Sequence, residues 1–152
     1  MESPIEVFSN WALNGKDEGM EKNHSASVEN MIKYSTKGVD KYKFIDAGCG
    51  NGWVVRKVSS DKKCINAIGV DGSIHMIEKA KMLDNKNEYF CSDLLRWIPK
   101  EKVDIVHSME VFYYFEKPEI LIGHIHDNWL DNGGRLITVS YKHLTLPTKS
   151  TV

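Results

Sequence analysis

The amino-acid sequence predicts an α/β fold with a doubly wound, mostly parallel sheet. From Phe44 onward, short apolar runs alternate with stretches of helical period, a pattern typical of strands joined by helices. Repetition of strand and helix predicts parallel strands with right-handed crossovers. The chain has 152 residues, of which 41% are hydrophobic and 27% charged. This is the composition of a single ordinary globular domain.

The predicted strands are short apolar runs bounded by turn-forming residues. They lie at Phe44–Ala47, Ile65–Val70, Glu88–Cys91, Val103–His107 and Leu136–Ser140. The segments of helical period between them predict helices at Trp53–Ser60, Ser73–Leu83 and Pro118–Leu130. We expect the five strands to form the sheet and the helices to cover its faces.

Single residues mark the ends of two of these helices. Ser73 is placed as the N-cap of the second helix, and Pro118 suits the first turn of the third. The turn Asp131-Asn132-Gly133-Gly134 is predicted to end the third helix before the fifth strand. The apolar faces are predicted to be Ile74, Ile77 and Ala80 in the second helix, and Leu121, Ile122, Ile125 and Trp129 in the third.

The chain divides into three segments by composition. Residues 1–40 are polar and punctuated by Met and aromatic residues, and they predict a cap that is helical from about Ser25 to Tyr34. Residues 41–140 form the predicted core. Residues 141–152 predict a non-native or flexible tail, because the text from Ser140 onward resembles translated sequencing-adaptor sequence. On that interpretation the natural protein continues beyond Ser140.

Composition and charge argue against several classes of protein. The formal net charge is −1, so bulk nucleic-acid binding is not expected. The longest purely aliphatic run is Ile120-Leu121-Ile122, and residues 1–20 contain no apolar segment. We therefore expect neither a membrane-spanning helix nor a signal peptide, and we predict a cytoplasmic location. The sequence leaves the oligomeric state open.

Cysteine and histidine spacing gives no sign of a metal site. Cys49, Cys64 and Cys91 are far apart and form no CxxC pair, so we interpret them as reduced residues. His124 and His126 are two residues apart and do not share a helical face. No metal is predicted.

The most specific motif is a strand that runs directly into three glycines. Phe44-Ile45-Asp46-Ala47 is followed by Gly48-Cys49-Gly50-Asn51-Gly52 and then by the helix predicted from Trp53. Glycines between a strand and a helix let a ligand approach the bare backbone at the helix N-terminus. We therefore predict a ligand site at this loop.

Acidic residues near the loop distinguish between ligands. A dinucleotide loop has its third glycine one residue later than Gly52. Asp46 would repel a pyrophosphate, whereas it suits a ligand with a cationic amino group. Asp71 ends the second strand, nineteen residues after Gly52, where a carboxylate can accept both hydroxyls of a ribose. Asp93 follows the third strand and could meet an adenine edge.

Taken in order, these segments resemble the class I S-adenosylmethionine-dependent methyltransferases. The resemblance covers Lys43 to Ser140 and is carried by Phe44–Gly52, Gly69–Ser73, Cys91–Leu94, Val103–Glu110 and Trp129–Ser140. It implies a Rossmann-like sheet with S-adenosylmethionine across the carboxyl ends of the first strands. The family's sixth and seventh strands have no counterpart after Ser140, so we expect a fold truncated after the fifth strand.

The resemblance also implies a set of cofactor-binding residues. The glycines would pack against the methionine portion with Asp46 near its amino group. Asp71 would bind the ribose hydroxyls and Asp93 would face the adenine amino group. The implied set is Asp46, Gly48, Cys49, Gly50, Asn51, Gly52, Asp71, Gly72, Ser73, Met76, Ser92, Asp93, Leu94, Ser108 and Glu110.

The implied reaction transfers a methyl group to an unidentified acceptor, either a small molecule or a protein side chain. A sulfonium methyl is already electrophilic, so the protein mainly aligns the acceptor. A base is needed only for a protonated acceptor. Glu110, His107 and His24 are the candidates, and each could instead have a purely structural role. The segment Val111–Phe115 could line the acceptor pocket or pack a short helix on the sheet.

Two other interpretations stay open. An NAD(P)-dependent oxidoreductase requires a glycine where Trp53 stands and no acid where Asp46 stands. A non-catalytic cofactor-binding fragment is suggested by the missing strands. A binding assay combined with a turnover assay separates an enzyme from a non-enzyme.

Overall fold

The computed structural model describes residues 5, 6, 9, 10, 15 and 17–139. Its centre is a five-stranded sheet in the order β3-β2-β1-β4-β5, and every strand pairing is parallel. The predicted Rossmann-like α/β class is confirmed. The strands are β1 Tyr42–Ala47, β2 Cys64–Asp71, β3 Glu88–Cys91, β4 Val103–Met109 and β5 Leu130–Val139. The predicted tail at 141–152 lies outside the described residues.

The strand order reverses direction once. The chain starts at the centre with β1, moves outward through β2 to β3, and then returns to place β4 on the other side of β1. The connections that leave β1 and β4 therefore run in opposite directions. This separation opens a crevice at the carboxyl ends of the strands, which is where open α/β sheets bind ligands.

Within residues 17–139, four α-helices accompany the sheet. They are α1 Glu18–Ser35, α2 Trp53–Ser59, α3 Ile74–Leu83 and α4 Pro118–Asn128, and a short 3₁₀ helix spans Phe112–Tyr114. The Ser73 hydroxyl accepts a hydrogen bond from the Met76 amide and caps α3 as predicted. Pro118 occupies the first turn of α4, also as predicted. No helix in the described part of the chain has the length and hydropathy needed to cross a membrane.

The core lies on both faces of the sheet. On one face, Tyr42 and Phe44 of β1 pack with the buried side chains of α1, α2 and α3. On the other face, Ile45 and Ala47 pack with Leu121 of α4 and its neighbours. Alternate residues of β1 point to opposite faces, so burial of both faces explains why Tyr42, Phe44, Ile45 and Ala47 are all apolar.

Two exposed side chains differ from the predicted helix faces. Ile74 is 49% exposed and Ile122 is 44% exposed, although the sequence predicts both on apolar faces. In α3 the buried residues are instead Met76, Ile77 and Ala80. Ile74 is the first residue of α3 and precedes the turn that rests on the sheet. Ile122 lies beside the buried stripe of α4, which contains Leu121 and Ile125.

The boundaries of α1, α4 and β5 also differ from prediction. Helix α1 begins at Glu18 instead of about Ser25. Helix α4 ends at Asn128, and β5 begins at Leu130 instead of Leu136. Leu130 pairs with Val103 and Arg135 pairs with Ile105, so the predicted turn at 131–134 forms an irregularity inside the strand. Gly133 provides the positive φ of 78° that this irregularity needs.

Neighbouring residues of α4 provide a test of this packing. Leu121 is fully buried whereas Ile122 is 44% exposed. Leu121→Ala should lower the free energy of unfolding by about 2 to 5 kcal/mol, because it leaves a cavity in the core. Ile122→Ala should lower it by less than about 1 kcal/mol. Urea denaturation followed by circular dichroism measures both, and equal losses would contradict this placement of the helix.

Candidate functional site

The loops that follow β1, β2, β3 and β4 surround a cavity of about 490 Å³. It lies at the carboxyl ends of the strands, in the crevice opened by the reversal of strand order. The glycine loop after β1 forms part of its wall, together with five acidic residues and apolar side chains from the segment after β4. The fold therefore brings the motifs found in the sequence to one place.

The glycine loop has a backbone that only glycine adopts easily. Gly48, Gly50 and Gly52 have φ angles of 76°, 54° and 84°, in the left-handed region that other residues rarely enter. A Cβ atom on Gly48 would overlap the side chain of Val111, and one on Gly52 would lie 2.6 Å from the ring of Tyr89. The loop is thus held close to its neighbours and presents bare backbone at the start of α2.

Asp71 connects the glycine loop to the next loop of the sheet. Its Oδ2 atom accepts a hydrogen bond of 2.9 Å from the Gly50 amide, and its Oδ1 atom accepts one of 2.8 Å from the Ser73 amide. Burial raises the pKa of the Asp71 carboxyl, while these two hydrogen bonds oppose the rise. Each carboxylate oxygen can accept a further hydrogen bond, so Asp71 can bind a ligand while it holds both loops.

Asp46 forms a buried pair with His107. The two residues lie opposite each other on β1 and β4, and 2.9 Å separates Asp46 Oδ1 from His107 Nδ1. Burial raises the pKa of the Asp46 carboxyl, and the hydrogen bond from His107 opposes this rise. Asp46 lies on the cavity wall, whereas His107 does not.

Asp17, just before α1, is a further acidic residue of the wall. Its carboxylate accepts a hydrogen bond of 2.7 Å from the Asn51 side-chain amide and lies 2.9 Å from the Lys79 ammonium group. The Asn51 side chain in turn accepts a hydrogen bond from the Trp53 amide. The N-terminal segment is therefore tied to both the glycine loop and α3.

The cavity wall is acidic. Five carboxylates line it, and the described lining residues include no Lys, Arg or His. The acids are Asp17, Asp46, Asp71, Asp93 and Glu110. A low-dielectric cavity strengthens the interaction of such groups with a ligand charge. The wall therefore favours a ligand that is cationic or rich in hydroxyl and amino donors over a polyanion.

Twelve of the fifteen predicted cofactor-binding residues lie on this wall. They are Asp46, Gly48, Cys49, Gly50, Asn51, Asp71, Gly72, Met76, Ser92, Asp93, Leu94 and Glu110. Gly52, Ser73 and Ser108 lie behind the wall: Gly52 packs on Tyr89, Ser73 caps α3, and the Ser108 hydroxyl donates a hydrogen bond to the Ala47 carbonyl. Of the candidate bases, Glu110 lies on the wall, and His24 and His107 do not.

Several wall residues were not among the predicted cofactor-binding residues. Met109, the last residue of β4, forms an apolar side of the cavity with Val111, Tyr114 and Phe115 from the segment after β4. The aromatic run Val111–Phe115 predicted part of this side as one of two alternatives. Asp17 had no such signal, because its partner Asn51 is 34 residues away. Ile5, Trp53, Val54 and Cys91 complete the wall.

Comparison with known proteins identifies the family. A family model described as a methyltransferase domain matches residues 45–138, a span that includes the glycine loop, Asp71 and β4. The chain belongs to the methyltransferase domain family. A trans-aconitate 2-methyltransferase from Rhizobium rhizogenes is 27% identical over 104 residues, which are 68% of this chain and 40% of that protein.

Solved methyltransferase structures share the fold. The complex between the Haloferax volcanii Trm112 methyltransferase activator and a methyltransferase contains a chain with a TM-score of 0.76 and 27% identity, and the match covers 90% of this chain and 59% of that one. The complex of DhpI with S-adenosylhomocysteine has a TM-score of 0.73 at 17% identity, covering 90% of this chain and 66% of the other. The chain thus spans less than two thirds of the length of these relatives.

Two glycines with similar backbone angles test the packing of the methyltransferase loop. Gly52 has a φ of 84° with the Tyr89 ring beside it, whereas Gly38 has a φ of 77° and open space around it. Gly38→Ala should lower the free energy of unfolding by about 1 to 2 kcal/mol, the cost of the backbone angle alone. Gly52→Ala should cost about 1 to 3 kcal/mol more, because Tyr89 must move. Chemical denaturation measures both, and similar losses would show that Tyr89 does not pack on the loop.

Proposed function

We propose that this protein is an S-adenosylmethionine-dependent methyltransferase. The observation that carries the proposal is the glycine loop joined to Asp71 within a cavity that has five acids and no described basic residue on its wall. S-adenosylmethionine has a ribose, an adenine, an ammonium group and a sulfonium, so it offers donors and positive charge to such a wall. Membership of the methyltransferase domain family supports the same reaction.

The residues of the cavity wall fit this cofactor. We assign the ribose hydroxyls to Asp71, whose oxygens keep free acceptor capacity beside the Gly50 backbone. We assign the adenine to the side of the cavity formed by Met76, Ser92 and Asp93. The ammonium group is assigned to Asp46, at the start of the glycine loop. These assignments agree with the roles that the resemblance implied.

The chemistry we propose depends on how the protein positions the methyl acceptor relative to the cofactor. When bound, the cofactor supplies a methyl group that its sulfonium makes electrophilic. The chain's own residues hold the acceptor in line and exclude water, which is the main contribution of a protein to such a transfer. The apolar side formed by Met109, Val111, Tyr114 and Phe115 is the surface we assign to the acceptor.

A general base is required only when the acceptor is protonated. We place such a base at Glu110, which lies on the wall in a left-handed conformation with a φ of 60°. A non-glycine residue in this conformation is uncommon, and such outliers cluster at functional sites. The acceptor that we propose is a small molecule or a protein side chain.

The oxidoreductase alternative is disfavoured by charge. A dinucleotide would place a pyrophosphate near Asp46 and Asp71, and the described wall contains no basic residue that could neutralise it.

Isothermal titration of S-adenosylhomocysteine and of NADH into the chain distinguishes a methyltransferase from an oxidoreductase. We expect binding of the first and none of the second. Binding of NADH alone would overturn the proposal, and binding without turnover would favour a non-catalytic module.

Substitution of Asp71 tests the assigned ribose contact. Asp71→Ala should weaken binding of S-adenosylhomocysteine by about 1 to 3 kcal/mol, the scale of a lost charge-assisted hydrogen bond. Asp40→Ala, at an exposed position away from the cavity, is the control and should leave affinity unchanged. Titration calorimetry on variants that retain the native circular dichroism spectrum gives the answer. Unchanged affinity in Asp71→Ala would remove this assignment.

A further inference from the structure

We propose that His107 is a positioning residue, which acts from behind the cavity wall to hold the carboxylate of Asp46 ready for the ammonium group of an amino-acid-bearing ligand. The inference rests on the proposed function, because that ligand is S-adenosylmethionine or its product. His107 does not line the cavity, and we infer that its ring carries a proton at one defined nitrogen.

The sheet itself sets the distance between the two side chains. Asp46 and His107 are register partners on the parallel strands β1 and β4, so their side chains emerge on the same face of the sheet. Both are almost completely buried, at 3% and 2% exposure. The Phe44 ring stacks on the imidazole at a centroid distance of 6.1 Å. Strand register and this ring contact fix the imidazole plane.

The buried environment selects one tautomer of the imidazole. His107 Nε2 is enclosed and makes no hydrogen bond in the described part of the chain. An N–H at this position would be a buried donor without a partner, which is costly. The proton therefore lies on Nδ1, and the 2.9 Å contact is a hydrogen bond donated from Nδ1 to Asp46 Oδ1.

This hydrogen bond determines what Asp46 can do. A carboxyl group buried without a donor would favour its neutral form, since burial raises the pKa of Asp46. Donation from His107 favours the carboxylate. His107 binds Oδ1, and Asp46 lies on the cavity wall, so Oδ2 remains for a ligand. Asp46 thus offers one oriented anionic oxygen to a cation in the cavity.

His107 is not placed to react with a methyl acceptor itself. Its ring does not line the cavity, and its second nitrogen is enclosed by the protein. Its influence on the ligand passes through Asp46. The effect of removing it should therefore be confined to the part of the ligand that Asp46 touches.

Two ligands that differ only in the amino-acid portion test this. S-adenosylhomocysteine carries the ammonium group, whereas 5′-methylthioadenosine keeps the adenosine and the thioether and lacks it. His107→Leu removes the donor, and His107→Asn keeps an N–H donor near the position of Nδ1. In titration calorimetry on the whole chain, His107→Leu should weaken S-adenosylhomocysteine binding about tenfold, the scale of a hydrogen bond to a charged group. It should leave methylthioadenosine binding unchanged, and His107→Asn should retain most of the affinity for both.

Each other outcome has a defined meaning. Equal loss of both ligands in His107→Leu, or no loss of S-adenosylhomocysteine, would overturn the positioning role. Failure of the unmodified chain to bind either ligand would instead overturn the proposed function. If His107→Leu does not fold, the unmodified protein still gives a test: nitrogen NMR of ¹⁵N-histidine-labelled protein should show His107 protonated at Nδ1 only. Protonation at Nε2 would contradict the inference.

Discussion

The hydrogen bonds of the Asp71 carboxylate are the contact on which the rest of the site depends. Asp71 ends β2, and its two oxygens accept amide hydrogen bonds from the glycine loop after β1 and from the first residues before α3. One buried side chain therefore holds the glycine loop against the stretch that joins the end of β2 to the start of α3. Because a buried carboxylate is costly without donors, the two amides stabilise the charge as well as the loops. The glycine backbone angles are what allow the Gly50 amide to reach it.

Charge then determines what the cavity accepts. The reversal of strand order beside β1 places Asp46 and His107 across from each other, and the long-range contacts of Asp17 add another acid to the wall. Lys79 pairs with Asp17 without lining the cavity itself. A cavity of this kind suits a cationic ligand with a ribose and disfavours a pyrophosphate. Under the proposed function, the protein acts by placing two reactants in contact, since the reactivity lies in the sulfonium methyl of the cofactor.

Local sequence signals predicted the centre of the fold well and its margins less well. β1 and the glycine loop could be predicted because an apolar run followed by three glycines has few other interpretations. The start of β5 could not, because Gly133 and Gly134 are typical of a turn and the pairing of Leu130 with Val103 is a tertiary contact. Asp71 could be identified because it follows Gly52 by nineteen residues and ends a predicted strand. Asp17 could not be identified from the sequence, because a single acid carries no signal of a partner 34 residues away. The position of His107 behind Asp46 could not be predicted either, because it depends on strand register.

The most direct test of the proposed site is a crystal structure of the protein with S-adenosylhomocysteine bound. The ligand should fill the cavity with its ribose hydroxyls about 3 Å from the Asp71 carboxylate, the distance of a hydrogen bond. The hydrogen bond from Gly50 to Asp71 should be retained. A ligand bound elsewhere, or one whose ribose does not contact Asp71, would contradict the proposed site.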